Sequence, residues 1–122
     1  MAEQWIDAAS AAKLVAEGKS RFAAQRAICT RSHRGLIRTR ARLFVLTEGK
    51  TIRRHENAAV PAMFWWAEGK EALTQDWALG DFSTWIDRTV HAQAFGVTFA
   101  LSGVVELLSA DPSLTVTGPA SR

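Results

Sequence analysis

The sequence predicts an α+β fold, and three observations carry that prediction. Apolar residues recur at helical spacing over residues 8–17 and 21–34, and the period changes to two from Leu36 to Leu46. The second half then mixes aromatic, helix-like stretches with another alternating run and a last apolar helix. At 122 residues, 48% hydrophobic and 22% charged with three prolines, the chain has the size and make-up of one folded domain. Residues 1–110 are expected to form it, and 111–122, with little to bury, to be a flexible tail.

Asp7 stands where a cap for a first helix belongs, about Ala8 to Glu17, and Gly18 where helices end. Ser20 caps a second, Arg21 to His33 or Arg34, stopped by Gly35. In the strand that follows, Ile37, Thr39, Ala41, Leu43 and Val45 point one way, and Leu36, Arg38, Arg40, Arg42, Phe44 and Leu46 the other. Residues 47–50 form a hairpin turn and Thr51 to His55 a returning strand. Helix, turn, helix and basic hairpin is the order of a winged helix. Pro61 opens a short helix, Ala62 to about Glu68, and a further helical stretch runs from Lys70 to Leu79. Asp81 to Ile86 is a loop or short strand, and Val90 to Phe99 a third strand with His91, Gln93, Phe95, Val97 and Phe99 on one side. Ser102 caps a final helix, Gly103 to Leu108. The predicted architecture is a winged helix-turn-helix-like core with a Trp-rich helical insertion and a C-terminal strand-helix.

Charge narrows the function. The net charge is +3, yet residues 19–54 hold eleven bases against Glu48 alone, a net of +10, and residues 55–122 carry −5. Like charges crowded together weaken a compact state, so a ligand should offset them. Nine of the eleven are arginine, whose planar fork suits phosphate oxygens and base edges. Double-stranded DNA is the expected partner. Arg21, Gln25, Arg26, Thr30 and His33 would face base edges from the second helix, while Arg31, Arg34, Arg38, Arg40, Arg42, Lys50, Arg53 and Arg54 would hold phosphates. Such a chain would serve as a small transcriptional regulator or DNA-architectural factor. The rival is a protein-interaction module whose basic third docks an acidic protein or the acidic half of another copy. RNA binding ranks third, because the basic stretch has only Phe22 and Phe44 to stack on bases.

Arg34-Gly35-Leu36-Ile37-Arg38-Thr39-Arg40, after its two helices, resembles the helix-turn-helix and wing of excisionase-like and MerR-like DNA-binding modules. The stretch from Val97 to Leu108 is similar to their strand-to-helix finish, so the likeness covers about half the chain. It implies DNA binding, with the second helix in the major groove and the wing arginines on the backbone. Residues 55–91 have no counterpart there; their proline, aromatic and Asp-Trp pattern is similar to that of small bacterial proteins and carries no function with it.

Catalysis has little to stand on. The chain carries no nucleophile elbow, phosphate loop or zinc-protease signature, and an enzyme is not expected. Cys29 and His33, at i and i+4, share a helix side, but a zinc site needs two further ligands, and His55 and His91 lie in unrelated segments. No metal or other cofactor is expected. Trp65, Trp66, Trp77 and Trp85 belong mostly to the core, with Trp65 and Trp66 the candidates for an exposed protein-partner anchor or a homodimer contact in the acidic half. A single cysteine excludes an internal disulfide and suits a reducing cytoplasm. The first seven residues, with two acids, do not resemble a secretory signal, and the longest uncharged run, Thr89 to Val105, is too polar and short to span a membrane.

Overall fold

A computed structural model describes residues 3–17, 20–65, 76–86 and 89–110. Its centre is a strongly bent antiparallel sheet rather than a helical core. The elements run β1 (Trp5–Asp7), α1 (Ala8–Ala16), α2 (Arg21–His33), β2 (Thr39–Glu48), β3 (Thr51–Ala59), a 3-10 turn (Ala62–Trp65), β4 (Phe82–Ile86), β5 (Val90–Phe95), β6 (Thr98–Ala100) and α3 (Leu101–Ala110). The winged helix-turn-helix is thereby overturned, since six strands among the described residues join in one half-barrel. The strand read as one half of a two-stranded wing, β2, is bonded on both sides, to β3 along one edge and to β5 and then β6 along the other. Beyond them β4 pairs with β5, and β1 with β6.

Local chemistry explains the helices. Asp7 Oδ1 accepts the Ser10 amide at 2.7 Å and starts α1, and Ser20 Oγ accepts the Ala23 amide at 3.1 Å and starts α2. α2 ends where Gly35, at φ +77°, turns the chain left-handed and Leu36 N–H reaches the Arg31 carbonyl at 2.9 Å. α3 begins one residue before the expected serine cap, because its cap comes from the other end of the chain. Glu3 accepts Ser102 N–H at 3.3 Å and Ser102 Oγ–H at 2.8 Å. The expected insertion helix from Ala62 survives as the 3-10 turn, and the rest of it, with residues 70–75 of the next, lies outside the described residues. Residues 77–80 are a turn closed by a bridge between Asp76 and Asp81.

The three helices pack on the inner face of the sheet, sharing one core with it. Ala11 and Val15 of α1, Ala24, Ile28 and Cys29 of α2, and Val104 and Leu107 of α3 meet Ala41, Phe44, Phe82, Ala92, Ala94 and Phe99 of the strands. Small residues on α1 and α2 let the two helices approach closely. Trp77 stacks on Phe99 at 6.0 Å, and Trp65 meets Phe82 edge-on at 5.0 Å. Each such aromatic pair adds roughly 0.5–1.5 kcal/mol beyond its burial.

The bend has a definite seat. Thr39 and Ala41 face the core at the start of β2, yet Phe44 and Leu46 face it further on, so two successive residues, Arg42 and Leu43, point away. The neighbouring strand does the same: Ala92 and Ala94 are inward, Phe95 and Gly96 outward, Val97 and Phe99 inward again. Both strands flanking Arg42 turn left-handed opposite it, at Asn57 (φ +50°) and Gly96 (φ +61°). A Cβ on Gly96 would lie 3.1 Å from Arg42 Cβ.

Candidate functional site

The strand faces decide which basic residues come together. With alternation interrupted at Arg42, the outer face of β2 carries Arg40 and Arg42, then Leu43, Val45 and Thr47. Across from Val45 stand Arg54 on β3 and Gln93 on β5, and across from Leu43 stands Phe95. Val45 is only 8% exposed yet lies outside the common core, covered by its neighbours on the outer face. Ile6 enters the core beside Phe99, so Trp5 of the same strand faces out. The guanidinium carbons of Arg38 and Arg40 sit 5.8 and 5.9 Å from the Trp5 ring. At the far side of the sheet Trp85, 60% exposed, lies 4.9 Å from the His91 ring.

The result is one outer sheet surface with arginines along β2 and β3 and, on the side of β2 away from β3, the Trp5 ring at one end and the Trp85 ring at the other. Arg40 also donates to the Asn57 carbonyl, and Arg38 forms an ion pair with Glu3 at 2.7 Å. The Ser102 hydroxyl and amide hold the Glu3 carboxyl below its ordinary value, with Arg38 adding to the effect. Glu56, opposite Leu43, is the acid of β3 on this face.

The remaining predicted site residues are elsewhere. Arg21, Arg26, Thr30 and Arg34 are exposed on α2, on the side of the molecule opposite the outer sheet face, and Arg31 and His33 are half-buried. Gln25, at 7% exposure, packs inside, so it offers no edge to a base. His33 Nδ1 lies 3.4 Å from the Ala62 carbonyl. Lys50 sits in the β2–β3 turn, and Arg53 points to the inner side, 3.9 Å from Glu48. Of the thirteen expected nucleic-acid residues, the outer sheet face thus gathers Arg38, Arg40, Arg42 and Arg54, while the exposed ones of α2 and its C-terminal cap lie on another surface.

Trp65, at 3% exposure, donates from Nε1 to Thr39 Oγ1 at 2.9 Å, and Trp66 lies outside the described residues. The sheet surface draws instead on Trp5, Trp85, His91 and Phe95. Trp5 gives no signal in the sequence because a three-residue strand is too short to show a period, and Phe95 gives a misleading one because Gly96 reverses the faces after it. Cys29 is buried, and burial pushes its thiol up to about 12. No group of His, Cys, Asp and Glu among the described residues is arranged to hold a metal, and no helix among them is long and apolar enough to cross a membrane. Comparison with protein-family models, with curated proteins and with solved structures finds no match, which leaves the chemistry of this surface as the ground for assigning a function.

Proposed function

We propose that the outer face of the sheet binds nucleic acid, taking single strands in preference to duplex, in a reducing cytoplasm that suits the lone thiol. The observation that supports this reading is the juxtaposition of Arg38, Arg40, Arg42 and Arg54 with Trp5, Trp85 and Phe95 on one face. Arginines neutralise phosphates along a track, and exposed rings give unpaired bases a surface to stack on. Aromatic residues remote in sequence supply what the basic stretch itself lacks. A duplex hides its base faces and would use only the arginines.

The test is fluorescence anisotropy of labelled single strand, matched duplex and an acidic control protein across a salt series. Single strand should bind most tightly, with log K falling linearly as log salt rises. Taking one phosphate partner away, by Arg40→Ala, Arg42→Ala or Arg54→Ala, should reduce that slope by about 0.7. Trp85→Ala should weaken binding by roughly 1–3 kcal/mol and leave the slope unchanged. Equal affinity for the acidic protein, or variants that bind as the parent does, would remove the proposal.

A further inference from the structure

The strand registers fix the spacing of the rings on the outer face. Trp5 pairs with Ala100, whose N–H reaches the Arg38 carbonyl at 2.9 Å, so its ring stands level with Arg38. Phe95 pairs with Leu43, and Trp85 pairs with His91, which pairs with Thr47. The three rings therefore follow β2 at the levels of residues 38, 43 and 47. At about 3.3 Å per residue, the two tryptophans lie roughly 30 Å apart along the strand, with Phe95 near the middle. Trp85 is exposed, and Trp5 and Phe95 are half-buried.

Arginines fall in the intervals. Arg40 and Arg42 belong to the first, between Trp5 and Phe95, and the Arg42 side chain lies over Gly96. Arg54, opposite Val45, belongs to the second, between Phe95 and Trp85. Aromatic and cationic positions thus alternate along one line, as the bases and phosphates of a single nucleotide strand require. A strand stacked throughout, rising about 3.4 Å per nucleotide, needs about nine to cover that distance, and one drawn out to about twice that rise needs about five.

We propose that this face takes one continuous single strand of about five to nine nucleotides along β2. Its bases meet Trp5, Phe95 and Trp85 in turn, and the intervening phosphates meet Arg40 and Arg42 and then Arg54. The inference rests on the nucleic-acid reading of the same face and adds the length of the ligand and the order of its contacts.

Isothermal titration with unlabelled oligothymidylates of three, six, nine and twelve nucleotides tests it. Affinity should rise at least tenfold from three to nine and gain only a few-fold, from added registers, between nine and twelve. Trp5→Val and Trp85→Val keep a strand-forming residue, and both rings lie outside the buried core. Each should weaken the nine-mer by about five- to 150-fold, the worth of one stacked base, and the two losses should multiply in the double variant. The trimer, free to move to a remaining ring, should lose no more than a few-fold in either single variant. Equal losses for trimer and nine-mer, or a further tenfold gain from nine to twelve, would overturn the inference and leave the nucleic-acid reading standing. Failure of every oligomer to bind would remove both.

Discussion

Thr39 is a single side chain on which two parts of the chain converge. Its hydroxyl donates to the Val60 carbonyl at 3.3 Å and accepts from Trp65 Nε1 at 2.9 Å, and both it and the indole are buried. Thr39→Val keeps the shape and removes both bonds, so the indole N–H is left without its acceptor. A loss of about 1–3 kcal/mol is expected in chemical denaturation. Trp65→Phe made on top of Thr39→Val should then cost less than Trp65→Phe made alone, because the bond it would break is already gone. Cys29 presents the opposite situation, a group whose chemistry is silenced. With its thiol pushed up to about 12 by burial, the thiolate is scarce at neutral pH. A disulfide reagent should leave it untouched in the native protein and label it at once in denaturant. Glu3 titrates in a predictable sense. Because bonds from Ser102 and then Arg38 lower its folded pKa, the stability it contributes is complete above the ordinary carboxylate range and is lost as pH falls through the lowered value. Melting temperature against pH should therefore fall less steeply in acid for Glu3→Gln than for the parent.

At the scale of elements, glycines give opposite lessons about substitution. Gly103 lies inside α3, where alanine would normally stabilise a helix by about 1 kcal/mol. Here a Cβ would stand 2.9 Å from the Leu36 carbonyl oxygen and 3.0 Å from Ile37 Cα, both backbone atoms with little freedom to retreat. Gly103→Ala should therefore lower the melting temperature, and a rise would show that α3 and the segment leading into β2 can separate. Gly96→Ala should lower it too, through a left-handed backbone costing roughly 1–2 kcal/mol and a close approach to Arg42. The same residue marks the limit of what is legible in the sequence. The first two helices with their caps, the stop at Gly35, the hairpin turn and the start of the strand after it, which runs on past His55 to Ala59, are readable, because each depends on neighbours in the chain. A strict period of two, carried through residues 37–46 and 91–99, places Leu43 with Thr39 and Phe95 with Phe99. The reversal at Arg42 and Gly96 is a property of three strands together, and it moves the very residues from which the outer surface is made. The global arrangement is hidden for a similar reason: helix, helix and hairpin are local, whereas the partners that turn β2 into a central strand come from residues 90–100.

For the whole molecule, the consequence of that arrangement is an aromatic centre assembled from distant segments. Phe99 is fully buried and touches the rings of Trp65, Trp77 and Phe82. Phe99→Ala should cost roughly 3–5 kcal/mol, a large share of the 5–15 kcal/mol or so that holds a typical domain together. Pairings between remote strands also make folding slow, in the range of milliseconds to seconds rather than microseconds, which stopped-flow tryptophan fluorescence would measure. β1 is the extreme case. Trp5 pairs with Ala100, and Glu3 closes the start of α3 through Ser102, so both ends of the domain wait for each other. During synthesis β1 emerges before every other strand of its sheet, yet it can take its place only after residues 98–100 have followed it, so the sheet stays unfinished until almost the whole domain has been made.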